Sequence, residues 1–395
     1  MLQHAATLLP LTGNGAVAEA MRQIDPDVVA AFPISPQTEV IEAFSGFVAD
    51  GRVSTEFVPA ESEHSALSVC VGAAAAGARA MTATSAQGLA LMWEVLYIAA
   101  GLRQPIVMAL ATRALSAPLN IHCDHSDAMG ARDSGWVQLW AANAQDAYDL
   151  TLLAVRLAEH AAVQLPVLVC YDGYIVSHGL AGVEVLPDEE VRRFVGRRRA
   201  PASLLDLAQP LSVGALALPD YYFELRRAQL EAMARVPAAL AECAGALGAL
   251  TGRDFAPVEG FQLGDADVAL VALGSTASTL HDVVAEARRA GQKVGLAHLR
   301  TFRPFPAAEL VRLLDHVPLV AVLDRAVSPG SAPPLTTEVR AALGGRPPAV
   351  GIVYGLGGRQ PTLRAWVGLV ADLWSCVRHG RPYPPLSYFG LREGA

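Results

Sequence analysis

Glu63 has unusual surroundings for a carboxylate. It lies in ESEHSA (residues 61–66), and from Ser65 to Ala78 the chain that follows has no charged residue and many small ones. Ser62 is placed to cap a helix there, and an acid in a first turn suits the positive end of the helix dipole. That ordinary role needs Glu63 to face water. A helix of Ala, Gly, Ser and Val instead lets another backbone approach closely, so its first turn is expected at an interface. Glu63 is then either a solvated helix-start acid or a buried acid that a ligand requires.

Arg113 ends the apolar segment LRQPIVMALATRAL. A cation there is costly unless an anion pairs with it. The partner is either a protein carboxylate or the carboxylate of a substrate, gripped by two parallel N–H groups. The residues alone leave both open. HCDHSD, from His122 to Asp127, gathers two histidines, a cysteine and two aspartates within six residues. Divalent sites usually collect ligands from separated elements, and no second group stands out. A hydrogen-bonded loop around a polar ligand is therefore expected rather than a metal site. TGNGAVAEA (12–20) opens a helix on a glycine turn, which suits an anion. It lacks the third glycine and a convincing preceding strand of a dinucleotide fingerprint, so a capped helix at an active-site edge is expected. LGSTAS (273–278) has the same form and is common in any α/β domain. RRFVGRRR (192–199) is expected to be solvated or paired with acids rather than to bind phosphate.

The elements that must position these residues alternate. DVVAAF reads as a strand, followed by a loop with two prolines and a helix capped near Ser35 to Thr38. The helix after residue 64 leads to the strand ARAMTATS and the helix QGLALMWEVLYIAAG. LRQPIVMALATRAL and VQLPVLVCYDGYIVSH are further strands, with the helix AQDAYDLTLLAVRLAEHA between them. Apolar runs without alternation suit a parallel sheet covered on both faces. Residues 184–259 differ: EVLPDEEVRRFVGRRRAPASLLD is charged and irregular, and PDYYFELRRAQLEAMARVPAALAECAGAL is a long helical stretch. A second α/β unit begins at Asp267 with DVALVALGS. In its helix TLHDVVAEARRAG, Leu280, Val283, Val284 and Ala287 share one face. KVGLAHLR, PLVAVLDRA and PAVGIVYG supply its other strands, and a domain boundary is expected near residue 258.

Composition narrows the classes. A chain of 395 residues, 52% hydrophobic, can bury a large core in two domains or more. A net charge of -8 argues against a nucleic-acid partner. Neither a signal peptide nor an unbroken membrane-spanning run is read, so a cytoplasmic protein without a membrane partner is expected. The five cysteines (Cys70, Cys123, Cys170, Cys243 and Cys376) are far apart, with no CxxC pair, which leaves neither a zinc nor an iron–sulfur site. Cys70 and Cys170 are expected to be buried thiols. Lys293 is the only lysine, so a Walker A loop is missing and a Schiff base is not expected.

FPISPQTEVIE, ESEHSA, TATSAQGLALMWE, TRALSAPLNIHCDHSDAMGARDSGW and LPVLVCYDGYIVSH, with LRTFRPFP, VLDRAVSPG and YGLGGRQ later, resemble the alpha subunits of pyruvate:ferredoxin oxidoreductases. These belong to the wider 2-oxoacid:ferredoxin oxidoreductase family. The resemblance runs from about residue 10 to the C-terminus. It implies an α/β fold with a pyrimidine-type, thiamine diphosphate-binding parallel-sheet domain over 1–258, including a helical and irregular linker at 184–258. A transketolase C-terminal-like α/β domain over 259–395 follows. The implied activity is oxidative decarboxylation of pyruvate with coenzyme A to acetyl-CoA and CO2, reversibly, with electrons passing to ferredoxin. The same machinery acting on an aromatic, branched-chain or dicarboxylic 2-oxoacid is the variant reading. A non-catalytic scaffold subunit is the third, and retention of Glu63, Arg113 and a hydroxyl at Ser35 speaks against it.

In that family the acid matching Glu63 hydrogen-bonds N1′ of the aminopyrimidine ring, with Glu61 the alternate. Ser35 matches a hydroxyl that contacts the substrate carboxylate, where threonine is usual, and Phe32 replaces the usual tyrosine. Arg113 matches the arginine that pairs with that carboxylate. Pro33, Ser85 and Gln87, in the same motifs, fall in the implied cofactor-binding set. Thiamine enzymes hold Mg2+ and diphosphate through a GDG motif followed by Asn. This chain has no GDG and no asparagine after Asn143. The resemblance thus implies a beta subunit carrying the diphosphate and Mg2+ site. It also implies iron–sulfur clusters on partner subunits, with gamma and ferredoxin-like delta subunits in the complex and no metal on this chain.

Overall fold

The computed structural model describes residues 6–392; positions 1–5 and 393–395 of the two expected domains lie outside the described residues. The apolar runs form strands buried along their length: Ala80–Thr84, Val107–Thr112, Val137–Ala141 and Val167–Asp172. They belong to a seven-stranded sheet ordered Thr301–Arg303, Val137–Ala141, Val167–Asp172, Val107–Thr112, Ala80–Thr84, Val28–Ala31, Glu56–Pro59. Its pairings are parallel except for Thr301–Arg303, which runs antiparallel at one edge. Full burial of these strands fits a parallel sheet with helices on both faces. A six-stranded sheet follows, ordered Leu386–Phe389, Ala349–Tyr354, Leu319–Asp324, Val268–Leu273, Val294–Leu299, Val258–Phe261. There too a single edge strand, Val258–Phe261, is antiparallel. The helix Ser275–Arg289 buries Leu280, Val283, Val284 and Ala287 against this sheet, as its periodicity predicts.

The structure departs from the sequence reading in five places. A strand, Thr7–Leu11, does precede TGNG, but it pairs antiparallel with Ala181–Val185 outside the large sheets. The glycine turn therefore lacks the parallel strand of a dinucleotide site, and Thr12 caps its helix by accepting from Gly15 N at 3.0 Å. The helix after Ser85 is two, Ala86–Leu91 and Trp93–Gly101, divided at Met92. The charged stretch is not irregular throughout: Asp188–Val195 is a helix that buries Val191, Phe194 and Val195. Its arginines pair locally, Arg193 with Glu190 at 2.7 Å and Arg192 with Asp188 at 3.9 Å. The strand within LRTFRPFP joins the first sheet rather than the second.

The expected long helical stretch forms as Tyr222–Thr251, and the fifth departure is that its 30 residues are long and apolar enough to cross a membrane by length and composition. It also carries Glu224, Arg226, Arg227, Glu231, Arg235 and Glu242. Ala232, Val236, Ala239, Leu240, Cys243 and Leu247 are buried, in the same core as the helix Ala144–Ala158.

Candidate functional site

The helix Glu63–Ala75 begins as its sequence predicts, with Ser62 Oγ accepting from Ser65 N at 3.2 Å. Glu63 occupies its first turn and is only 7% exposed. Among the described residues its carboxylate has no hydrogen-bond or ion-pair partner. Glu61 is its opposite: exposed, and accepting hydrogen bonds from the Ser65 and Ser62 hydroxyls. The Ser65 bond holds the Glu61 carboxyl below its usual range.

What lets Glu63 lie where it does is Gly88, in the helix Ala86–Leu91. A Cβ at Gly88 would stand 2.8 Å from Glu63 Oε1 and 2.9 Å from its Cγ, and would collide with Thr84 Oγ1. Thr84 Oγ1 and Gln87 Oε1 are both buried without a hydrogen-bond partner. Gln87 Nε2 donates to Ser116 Oγ at 2.9 Å. Ser85 is fully buried, and its hydroxyl donates to the Ala111 carbonyl at 2.7 Å. Pro33 and Ser35 are exposed in the loop after the strand Val28–Ala31.

Arg113 follows the strand Val107–Thr112 and is 7% exposed. Nη1 donates to the Ser35 carbonyl at 2.8 Å and Nε to the Asn120 carbonyl at 3.1 Å. No carboxylate oxygen lies within 4.0 Å of its guanidinium nitrogens among the described residues. Arg113 and Ser35, 78 residues apart in sequence, are thus brought together, with the guanidinium held by neutral carbonyls.

Asp127, Asn120 and Gly88 escaped the sequence reading as individual site residues. Asp127 Oδ2 accepts from Ala86 N at 2.9 Å and from Arg113 N at 3.0 Å, and Oδ1 accepts from Ala128 N at 2.7 Å. Burial outweighs these bonds and pushes its carboxyl up to about 7. Asn120 Nδ2 donates to the Gly357 carbonyl at 3.2 Å, and Gly358 N donates to the Cys123 carbonyl at 2.8 Å. Gly357 and Gly358 have φ of 58° and 82°. A Cβ on either would strike Asn120 or His122. The YGLGGRQ turn of the second sheet thereby braces the loop that holds Arg113.

The HCDHSD loop does find a distant partner, Asp172. Cys123, His125 and Asp172 bring their ligand atoms within 4.8 Å of one another, all buried. A cation already occupies this cluster. Arg325, fully buried, donates from Nη1 to Asp172 Oδ2 at 2.9 Å and to Cys123 Sγ at 3.6 Å. Nη2 reaches Thr276 Oγ1 and Gln360 Oε1, each at 3.0 Å. His125 Nε2 lies 2.9 Å from Asp172 Oδ1. Burial, with Asp172 nearby, pushes the Cys123 thiol far above its usual value. Burial alone would raise the Asp172 carboxyl, but Arg325 and His125 hold it well below its usual range. The cluster is a joint between the two sheets. The five cysteines are all buried and free.

Residues 19–244 match the family described as pyruvate flavodoxin/ferredoxin oxidoreductase, thiamine diphosphate-binding. Residues 266–365 match pyruvate:ferredoxin oxidoreductase core domain II. The chain is 55% identical over 362 residues to pyruvate synthase subunit PorA of Thermotoga maritima, covering 91% of this chain and 92% of that one. It is 44% identical over 384 residues to the same subunit of Methanothermobacter thermautotrophicus, covering 97% and 98%. With ketoisovalerate oxidoreductase subunit VorA of Pyrococcus abyssi it shares 38% identity over 397 residues, the full length of both. Among solved structures, a 2-oxoglutarate:ferredoxin oxidoreductase from Magnetococcus marinus superposes with a TM-score of 0.74 at 21% identity. That match covers 93% of this chain and 65% of the length of the other. A split-gene transketolase superposes with a TM-score of 0.54 at 14% identity over 92% of this chain and 98% of its own. These two likenesses bear on the fold, and the expected α/β architecture with a thiamine diphosphate-binding parallel-sheet unit and a transketolase-like unit is met. By its sequence relatives, the chain belongs to the pyruvate flavodoxin/ferredoxin oxidoreductase family, as a subunit of a multi-subunit 2-oxoacid:ferredoxin oxidoreductase.

Proposed function

We propose that this chain forms the half of a shared thiamine diphosphate site that holds the aminopyrimidine ring and the substrate carboxylate. The observation that carries this reading is Glu63, a buried carboxylate with no protein partner among the described residues. Leaving such a group unpaired is costly, and a ring nitrogen donating to it removes the cost. The unpartnered Thr84 and Gln87 oxygens beside it fit a ligand with hydrogen-bond donors. The residues present therefore fit the cofactor's pyrimidine end. Thiamine diphosphate, when bound, supplies a carbon nucleophile and an electron sink for decarboxylation.

Glu63 Oε1 or Oε2 would hold the proton at N1′ and take it back when the cofactor is bound. Arg113 turns its guanidinium to the substrate carboxylate while the Ser35 and Asn120 carbonyls fix its plane. Ser35 offers its hydroxyl to the same carboxylate. Gln87 and Pro33 would border the cofactor, and Ser85 anchors the turn before Gln87 through Ala111.

The substrate reading is pyruvate, with acetyl-CoA and CO2 as products and ferredoxin as acceptor. It is supported by the pyruvate synthase subunits at 55% and 44% identity. A beta subunit holds diphosphate and Mg2+, and gamma and delta subunits complete the cytoplasmic complex, with the iron–sulfur clusters on these partners. The domain division is drawn at residue 258, between the matched segments ending at 244 and starting at 266.

Glu63→Gln in the assembled complex tests the reading. Gln keeps the size and a hydrogen bond but cannot exchange the proton. Turnover should fall at least about a hundredfold, the scale of a general acid–base contribution. Exchange of the thiazolium C2 proton, followed by NMR, should slow in parallel. Wild-type exchange in that variant would return Glu63 to an ordinary cap and pass the role to Glu61.

A further inference from the structure

Ala86 and Arg113 stand at the ends of neighbouring strands. Ala86 follows Ala80–Thr84 and opens the helix that carries Gln87 and Gly88 beside Glu63. Arg113 follows Val107–Thr112 and faces the Ser35 loop. Both backbone N–H groups point at one oxygen, Asp127 Oδ2, at 2.9 and 3.0 Å. Ala86 has a φ of 41°, a conformation that costs a non-glycine residue free energy unless its surroundings hold it. Asp127 is 3% exposed, and its other oxygen is bound to Ala128 N. Every hydrogen bond it makes is accepted from a backbone N–H.

We propose that Asp127 is a positioning residue that sets the substrate-binding arginine and the cofactor-side helix relative to one another, through a single carboxylate oxygen. This rests on the reading of Arg113 as the carboxylate-binding group. The geometry gives Asn no satisfactory substitute pose. With its oxygen toward Ala86 and Arg113, the Asn amide group meets Ala128 N–H. With the amide reversed, it meets two N–H groups at once. Either way donor faces donor, and the two strand ends lose their shared anchor. A displacement on the order of 1 Å at a binding or catalytic group costs about a hundredfold.

The experiment is a double-substitution cycle in the assembled complex, with Asp127→Asn, Arg113→Ala and the pair, each assayed for KM and kcat with the 2-oxoacid. Asp127→Asn should raise KM about tenfold to a hundredfold. On top of Arg113→Ala it should raise KM no more than about twofold, because it acts through that arginine. C2 proton exchange should slow in Asp127→Asn as the Gly88 helix shifts. An unchanged KM in Asp127→Asn, or effects that multiply independently in the pair, overturns the assignment. An unchanged KM in Arg113→Ala overturns the arginine reading instead, and the two failures are distinct. Asp127→Ser, which keeps one acceptor without the charge, is the second variant. If neither Asp127 variant assembles, the carboxylate is structural only, and the proposal fails.

Discussion

Gly88→Ala perturbs Glu63 without substituting it. The added methyl would sit 2.8 Å from Glu63 Oε1, about 0.6 Å inside the 3.4 Å at which ordinary contact begins, and 2.9 Å from Cγ. Its nearest clash is with Thr84 Oγ1. Glu63 is the side that can yield, since its carboxylate ends a flexible side chain that no protein partner holds. The stability terms nearly offset. Alanine is favoured over glycine in a helix by about 1 kcal/mol, and inserting a methyl into a packed site costs about 1–3 kcal/mol. Net destabilisation is therefore about 0–2 kcal/mol, and the complex should assemble with its cofactor. Position is what suffers. A shift of 0.5–1 Å in a proton-transfer group costs on the order of tenfold to a hundredfold in rate. The assay is steady-state oxidation of the 2-oxoacid with a dye acceptor, alongside C2 proton exchange by NMR. kcat should fall by that factor and exchange should slow equally, while KM holds, because Arg113 lies on the neighbouring strand. Wild-type kcat and exchange in a folded Gly88→Ala complex would refute the reasoning. It would show that Glu63 can move away from Gly88 without loss, as a helix-cap acid can.

Three further outcomes are expected. The isolated chain should not bind thiamine diphosphate at micromolar concentration by calorimetry, because it lacks GDG and the downstream asparagine; micromolar binding without a partner would contradict the half-site reading. Arg325→Met should destabilise the protein by about 3–5 kcal/mol in chemical denaturation, since it leaves Asp172 buried without its cation, and adding Asp172→Asn should recover part of the loss. Stability should also pass through a maximum near pH 5 in thermal melts. Burial pushes Asp127 and Asp324 up to about 7 and about 6, so the folded state takes up protons there first and gains stability as pH falls from about 7. Asp188 is drawn down to about 2 by its hydrogen bonds from Arg22, and Glu259 to about 2 by His298 and Arg300 beside it. Their stabilisation is complete above the usual carboxylate values and is lost as pH falls through about 4 to 2.

Local pattern and tertiary partnership divide the readable from the unreadable here. DVVAAF, ARAMTATS and VQLPVLVCYDGYIVSH lack alternation, and a run apolar on both faces has few stable places other than a covered parallel sheet. The face of Leu280, Val283, Val284 and Ala287 was legible for the same reason, because helical period is a property of neighbours. Met92 shows the limit. Nothing in QGLALMWEVLYIAAG marks a break, yet the backbone turns there between two helices. Val191, Phe194 and Val195 carried a helical spacing in the charged stretch, but acids and arginines around them masked it.

The site obeys the same division. Ser62 could be named as a cap because its partner, Ser65, is three residues on. Glu63 and Glu61 could not be separated by any local rule. What separates them is Gly88, 25 residues away, brought under Glu63 by the parallel crossover. Asp127 stood within a motif already singled out for its polar residues. Its meaning lies in Ala86, 41 residues back, and in Arg113 on the next strand. Asp172 draws its cation from Arg325, 153 residues ahead and on the other sheet. Residue type at each of these positions was in plain view, but a buried carboxylate acquires a function only through what faces it. A sheet order with crossovers chooses those facing residues from distant parts of the chain. The half-site assignment follows the same logic. Glu63 and Arg113 are two buried charged groups to which this chain, folded, offers no countercharge among the described residues, and a cofactor nitrogen and a substrate carboxylate from outside suit them.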